Sequence, residues 1–158
     1  MRRLICIGFV VLLIGCKDAE QPLVQNNSVS SEQQTKEEKP PALQLTIGNQ
    51  VMKTYRGTYD WSYYDQASDQ MVSIKADHVA PTQMVDIKEG MKVNLIEPVH
   101  LKFAKDPQKY EVRLWDTEKV IATYDSFDEI TVKGNYIVEI VSEWEQGRGT
   151  YVLALSIE

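Results

Sequence analysis

MKVNLIEPVHLKFAKDPQKYEVRL, residues 91–114, sets apolar against polar side chains in strict alternation three times over. Met91, Val93 and Leu95 alternate with Lys92 and Asn94. Val99, Leu101 and Phe103 alternate with His100 and Lys102, and Tyr110, Val112 and Leu114 with Glu111 and Arg113. Successive side chains of a strand point to opposite faces, so each run reads as a strand with one face buried and the other in water. Lys105-Asp106-Pro107 separates the second run from the third with turn-forming residues.

The same pattern continues in both directions. Toward the C-terminus come Val120, Ala122 and Tyr124, then Ile130 and Val132, then Tyr136 to Val141, and finally Tyr151 to Ile157. Asp116-Thr117-Glu118, Lys133-Gly134-Asn135 and Gln146-Gly147-Arg148-Gly149 supply the breaks. Toward the N-terminus stand Met71 to Lys75, the alternating Tyr59, Trp61 and Tyr63, and Leu43, Leu45 and Ile47, the last run stopped by Gly48-Asn49. Lys88-Glu89-Gly90 marks a further turn, and no stretch after Ala42 repeats its apolar residues at the helical period. Eight or nine short strands over residues 43–158 predict an all-β fold, an antiparallel sandwich, with a closed barrel as the alternative.

Ahead of this domain lies an address. Arg2 and Arg3 precede an apolar run from Leu4 to Ile14, and Gly15-Cys16 follows. A basic start, a short apolar core and a small residue before the cut describe a secretory signal over residues 1–15. As a helix, the apolar run would cover about half of a ~30 Å hydrocarbon core, too little for a permanent span. Leu13-Ile14-Gly15-Cys16 resembles the bacterial lipobox, which implies a new N-terminus at Cys16 carrying palmitate-type acyl chains. Two or three such chains anchor firmly where one is marginal. The expected location is the extracytoplasmic face of the cell membrane, held through lipid on Cys16. Residues 16–42 are mostly Ser, Gln, Asn, Glu, Lys and Pro without an aromatic, and read as a linker reaching roughly 25–30 Å.

Composition narrows the function. Of the two cysteines, Cys6 falls in the signal and Cys16 is the lipidation site, leaving none for a disulfide or a nucleophile. Lys and Arg number 17 against 23 Asp and Glu, and without Arg2 and Arg3 the side-chain charge is about −8. Such an acidic domain has no electrostatic footprint for nucleic acid and none for anionic headgroups.

Several motifs, in order and spacing over about residues 50–158, resemble a family. They are Gly57-Thr58-Tyr59-Asp60-Trp61, Ile87-Lys88-Glu89-Gly90, Lys105-Asp106-Pro107, Leu114-Trp115, Gly134-Asn135-Tyr136, Glu143-Trp144 and Gly149-Thr150-Tyr151. The family is that of small Gram-positive, Bacillus-type surface lipoproteins with an immunoglobulin-like β-sandwich. The resemblance implies that fold and transfers no catalytic site. Its members often carry a cysteine where Asp60 stands and a second downstream; both are missing here, so that bridge cannot form. Tyr136, early in a strand after Gly134-Asn135, suits either a tyrosine corner or an ordinary half-buried position.

Catalytic and metal chemistry find little in the sequence. His78 and His100 are the two histidines, Ser62 and Ser73 are candidate hydroxyls, and no Gly-x-Ser-x-Gly elbow occurs. Asp77, His78 and His100 lack zinc spacing, and Asp60, Asp65 and Asp69 lack that of a calcium loop. No metal and no cofactor are expected. Glu139, Glu143 and Glu145 would share a strand face and are read as solvated charges rather than an acid–base pair. The aromatics stand out. Tyr59, Trp61 and Tyr63 share one face, read chiefly as core, while Trp61, Tyr64 and Trp144 are the candidate binding residues if exposed together. The hairpin tips near 66–70 and 146–149 are natural recognition loops. The sequence thus points to a non-catalytic binding domain for an envelope protein or cell-wall glycan. An inhibitor of an envelope or secreted protease or wall enzyme is the alternative, and an envelope hydrolase or a spacer comes behind.

Overall fold

The computed structural model describes residues 38–158. They form ten strands: β1 (Leu43–Ile47), β2 (Gln50–Met52), β3 (Tyr55–Asp65), β4 (Gln70–Ala76), β5 (Met91–Val93), β6 (Val99–Phe103), β7 (Lys109–Trp115), β8 (Val120–Tyr124), β9 (Gly134–Trp144) and β10 (Gly147–Ile157). A three-stranded sheet, β2-β1-β6, faces a seven-stranded one ordered β4-β3-β10-β9-β7-β8, with β5 also paired to β10. The fold is therefore the all-β sandwich that the alternation predicts.

The buried side of each alternating run meets in one core. Leu43, Leu45, Ile47 and Phe103 of the small sheet pack on Trp61, Val112, Leu114, Val138, Ile140, Trp144, Tyr151, Leu153 and Leu155 of the large one. Phe103 bridges the layers with edge contacts to Trp144 and Tyr151, at centroid distances of 5.7 and 5.9 Å. Tyr136 packs against this core and its hydroxyl donates to the Lys133 carbonyl at 2.9 Å. That bond ties a tyrosine at the start of a central strand to backbone just upstream, which is the geometry of a tyrosine corner.

Four features depart from the sequence reading. The first is β5, which pairs parallel with β10 (Leu155 with Met91, Ile157 with Val93), so the sheet is not wholly antiparallel. It can do so because β3 takes only the first half of that edge of β10, ending at Val152 with Tyr55. Second, Ile130 and Val132 form no strand. A 3₁₀ turn at Phe127–Glu129 precedes them, and Phe127 and Ile130 enter the core as single plugs. Third, Gly147-Arg148-Gly149 lies inside β10, and the hairpin turns on Glu145-Gln146 alone, since Trp144 pairs with Gly147. The glycines answer to crowding: a Cβ on Gly147 would stand 2.1 Å from the Asp60 carbonyl oxygen, and one on Gly149 2.7 Å from Pro40. Fourth, the fold begins before residue 43. Pro40 and Pro41 are buried, and the Tyr151 hydroxyl donates to the Pro41 carbonyl.

Both faces of the middle of the large sheet are covered. Ile137, Val141 and Val152 are buried outside the main core, on the face turned away from the small sheet. The β4–β5 connection crosses that outer face as a strap, with a one-turn helix α1 (Pro81–Met84) and a 3₁₀ turn at Ile87–Glu89 resting on β9, and the latter also on β10. Covering on both sides explains why β9 and β10 read as nearly continuous apolar runs. Among the described residues no helix is long and apolar enough to cross a membrane.

Candidate functional site

The aromatic residues separate by burial. Trp61 is 2% exposed and Trp144 5%, and their rings meet edge to face at 5.5 Å. The Trp144 indole donates to the Lys105 carbonyl at 2.9 Å. Both tryptophans are core residues, which corrects their candidacy as surface contacts: Trp61 lies on the inner face of β3, and Trp144 ends β9 on its inner face. Tyr64 alone of the three is exposed, at 50%, opposite Met71 near the tip of the β3–β4 hairpin. Its hydroxyl donates to Asp69, and that bond, with some desolvation, raises its pKa. Trp61, Tyr64 and Trp144 therefore form no common platform.

A groove of about 690 Å³ opens instead on the outer face of the large sheet. Its lining includes Thr58 and Asp60 of β3, Lys75 of β4, Glu139 and Glu143 of β9, and Arg148 and Thr150 of β10. The register brings them together: Asp60 lies opposite Lys75 and Arg148, and Glu143 opposite Arg148 and Lys109. A bulge between Gly149 and Tyr151, where β3 slips by one residue, separates Thr58 from the regular ladder. There the Thr150 hydroxyl donates to the Thr58 carbonyl at 3.2 Å, and Thr58 Oγ1 accepts from the His78 amide at 3.3 Å.

The two glutamates are held from the β7 side. Glu139, only 7% exposed, takes the Trp115 indole N–H on Oε2 at 3.1 Å, and Arg113 Nη1 stands 3.7 Å from the same oxygen. Glu143 pairs with Lys109 at 3.0 Å. Lys75 lies 4.0 Å from Asp60. Glu139 and Glu143 do share a strand face, as the sequence suggests, while Glu145 sits in the turn. The sequence reading missed Asp60, Lys75 and Arg148 as a group, because only the pairing of three separate strands joins them. The one local signal is an arginine between two glycines.

The other candidates stay apart. His78 precedes α1 in the strap, and His100 is exposed on β6 in the other sheet. Ser62 and Ser73 hydrogen-bond to each other at 2.8 Å on the outer face. Asp65 accepts from the Ser68 hydroxyl at 2.5 Å and the Ala67 amide at 3.0 Å, bonds that lower its pKa and shape the hairpin loop. No cluster of three His, Cys, Asp or Glu suited to a metal occurs among the described residues. Cys16 and the signal lie outside the described residues. Comparisons of the chain with protein-family models, with curated proteins and with solved structures find no match.

Proposed function

We propose that this chain is exported, lipidated at Cys16, and displays its sandwich at the extracytoplasmic membrane face as a binding domain whose ligand sits in the outer-face groove. The groove carries the reading. It is a recess on the outer face of the large sheet with charged side chains in its lining, and its two glutamates are engaged by structural partners, Glu139 by Trp115 and Arg113, Glu143 by Lys109. A general acid needs a carboxyl whose proton is kept ready for substrate. Carboxylates bound to cations serve instead as fixed charge for recognition. The address rests on Arg2, Arg3, the short apolar run and Gly15-Cys16.

The test is a benzophenone side chain placed at Ser73, beside the groove, in the full-length protein in cells. A specific covalent adduct is expected there, and none from the same group at Asn94 on the β5–β6 connection. Equal labelling at both positions, or turnover of a glycan or peptide substrate that Glu143→Gln abolishes, would replace binding with another reading.

A further inference from the structure

We infer that the groove takes a zwitterionic ligand, a short peptide of three to four residues with a free carboxylate and a free ammonium. The inference rests on the binding reading above and names its ligand. Across five adjacent strands the register sets Lys75, Asp60, Arg148, Glu143 and Lys109 side by side on the outer face. Neighbouring strands are about 4.8 Å apart, so the row alternates in sign at that interval. Its outer members are paired, Lys109 with Glu143 at 3.0 Å and Lys75 with Asp60 at 4.0 Å. Arg148, the central member, is exposed and its side chain makes no hydrogen bond or ion pair among the described residues, although an acid stands in register on either side.

Cross-strand charge pairs contribute little to a sheet, and the Arg148 side chain does not make even that contribution. Its guanidinium offers five donors in a planar fork that matches a carboxylate. Lys75, two strands away in the same row, adds a second positive charge to that end of the groove. The opposite requirement appears further along β9. Glu139 is a nearly buried carboxylate lining the groove, and both of its contacts fall on Oε2. Oε1 takes part in neither contact and can accept a further bond. A ligand ammonium satisfies that oxygen.

The distance between the two ends selects the length. Glu143, the register partner of Arg148, and Glu139 are four residues apart on one strand, about 14 Å at 3.4 Å per residue. An extended peptide spans about 3.3–3.6 Å per residue, so three to four residues join an ammonium at Glu139 to a carboxylate at Arg148. Between them lie the Thr58 and Thr150 side chains.

Calorimetric titration of the full-length lipidated protein in detergent micelles tests this, with tri-alanine and tetra-alanine as probes. Binding is expected for peptides with both ends free. Acetylating the amine or amidating the carboxylate should each weaken it by about tenfold or more, the scale of one charge-assisted contact. Arg148→Gln should bring the free and amidated peptides to the same weak affinity, Arg148→Lys should recover part of the difference, and Lys75→Gln should lie between. Both positions are exposed, and unchanged thermal unfolding checks that each variant is folded. Equal affinity of capped and free peptides overturns the proposal. So does a neutral disaccharide that binds where the peptides do not. If neither peptide binds a protein that still crosslinks at Ser73, the zwitterionic ligand is wrong and the binding role stands; loss of the crosslink as well removes both.

Discussion

At the residue scale, the aromatics carry the inter-sheet contact. Trp144 touches Trp61 and Phe103 edge-on and bonds to the Lys105 carbonyl. Trp144→Ala should cost about 3–5 kcal/mol in denaturant unfolding, and Trp144→Phe should separate the lost indole bond, about 1 kcal/mol, from the lost volume. Ser142 is the reverse case. Its hydroxyl is fully buried on the inner face of β9 with no partner among the described residues. Ser142→Ala should be neutral or stabilise by up to about 1 kcal/mol, and a loss larger than that would show a bond that the described residues do not reveal. Tyr151 makes the protein sensitive to alkali. Burial pushes its phenol up to about 12, against an opposing pull from Arg56. A raised folded-state value means that the folded protein holds its proton longer, so the stability Tyr151 adds is complete below about pH 10 and is lost as pH rises toward about 12. Following tyrosinate absorbance with pH should show a latest phase that is smaller by one tyrosine in Tyr151→Phe. Alternation told which residues share a face. It could not tell that Trp144, at a strand end, faces in, because its burial comes from Phe103 on the other sheet.

At the element scale, the β9–β10 hairpin organises the molecule. β10 receives β9 along one edge, and on the other edge β3 and then β5. Gly147 is the point that allows β3 to approach: its φ is +146°, and a Cβ would overlap the Asp60 carbonyl. Gly147→Ala should therefore destabilise by more than about 1 kcal/mol and disturb the row of charges next to it, read as line broadening of the Asp60 and Arg148 amides. The two glycines were legible as special positions, and their chemistry suggested a turn. Only the folded neighbours, β3 beside Gly147 and Pro40 beside Gly149, show that they relieve a clash. The strap illustrates the same limit. Residues 77–90 carry no helical period, since α1 has a single turn and its position comes from lying over β9.

At the scale of the whole molecule, the chain enters the sandwich at the end that holds the β9–β10 turn. Pro40 packs over Gly149, Pro41 accepts from Tyr151, and the charge of Glu38 is felt by Tyr63 on β3. Under the lipoprotein proposal, Cys16→Ser should move the protein from the membrane to the soluble fraction while its unfolding midpoint stays unchanged; retention on the membrane would show a different anchor. From its sequence alone this protein is a sandwich of short strands, because side-chain periodicity is a local property that a chain carries before it folds. Which aromatics are core, how β5 joins β10, and the gathering of Asp60, Lys75, Glu139, Glu143 and Arg148 in one groove were decided by tertiary structure. Strand order and register join residues far apart in the chain, and nothing in a strand's own alternation names its neighbour.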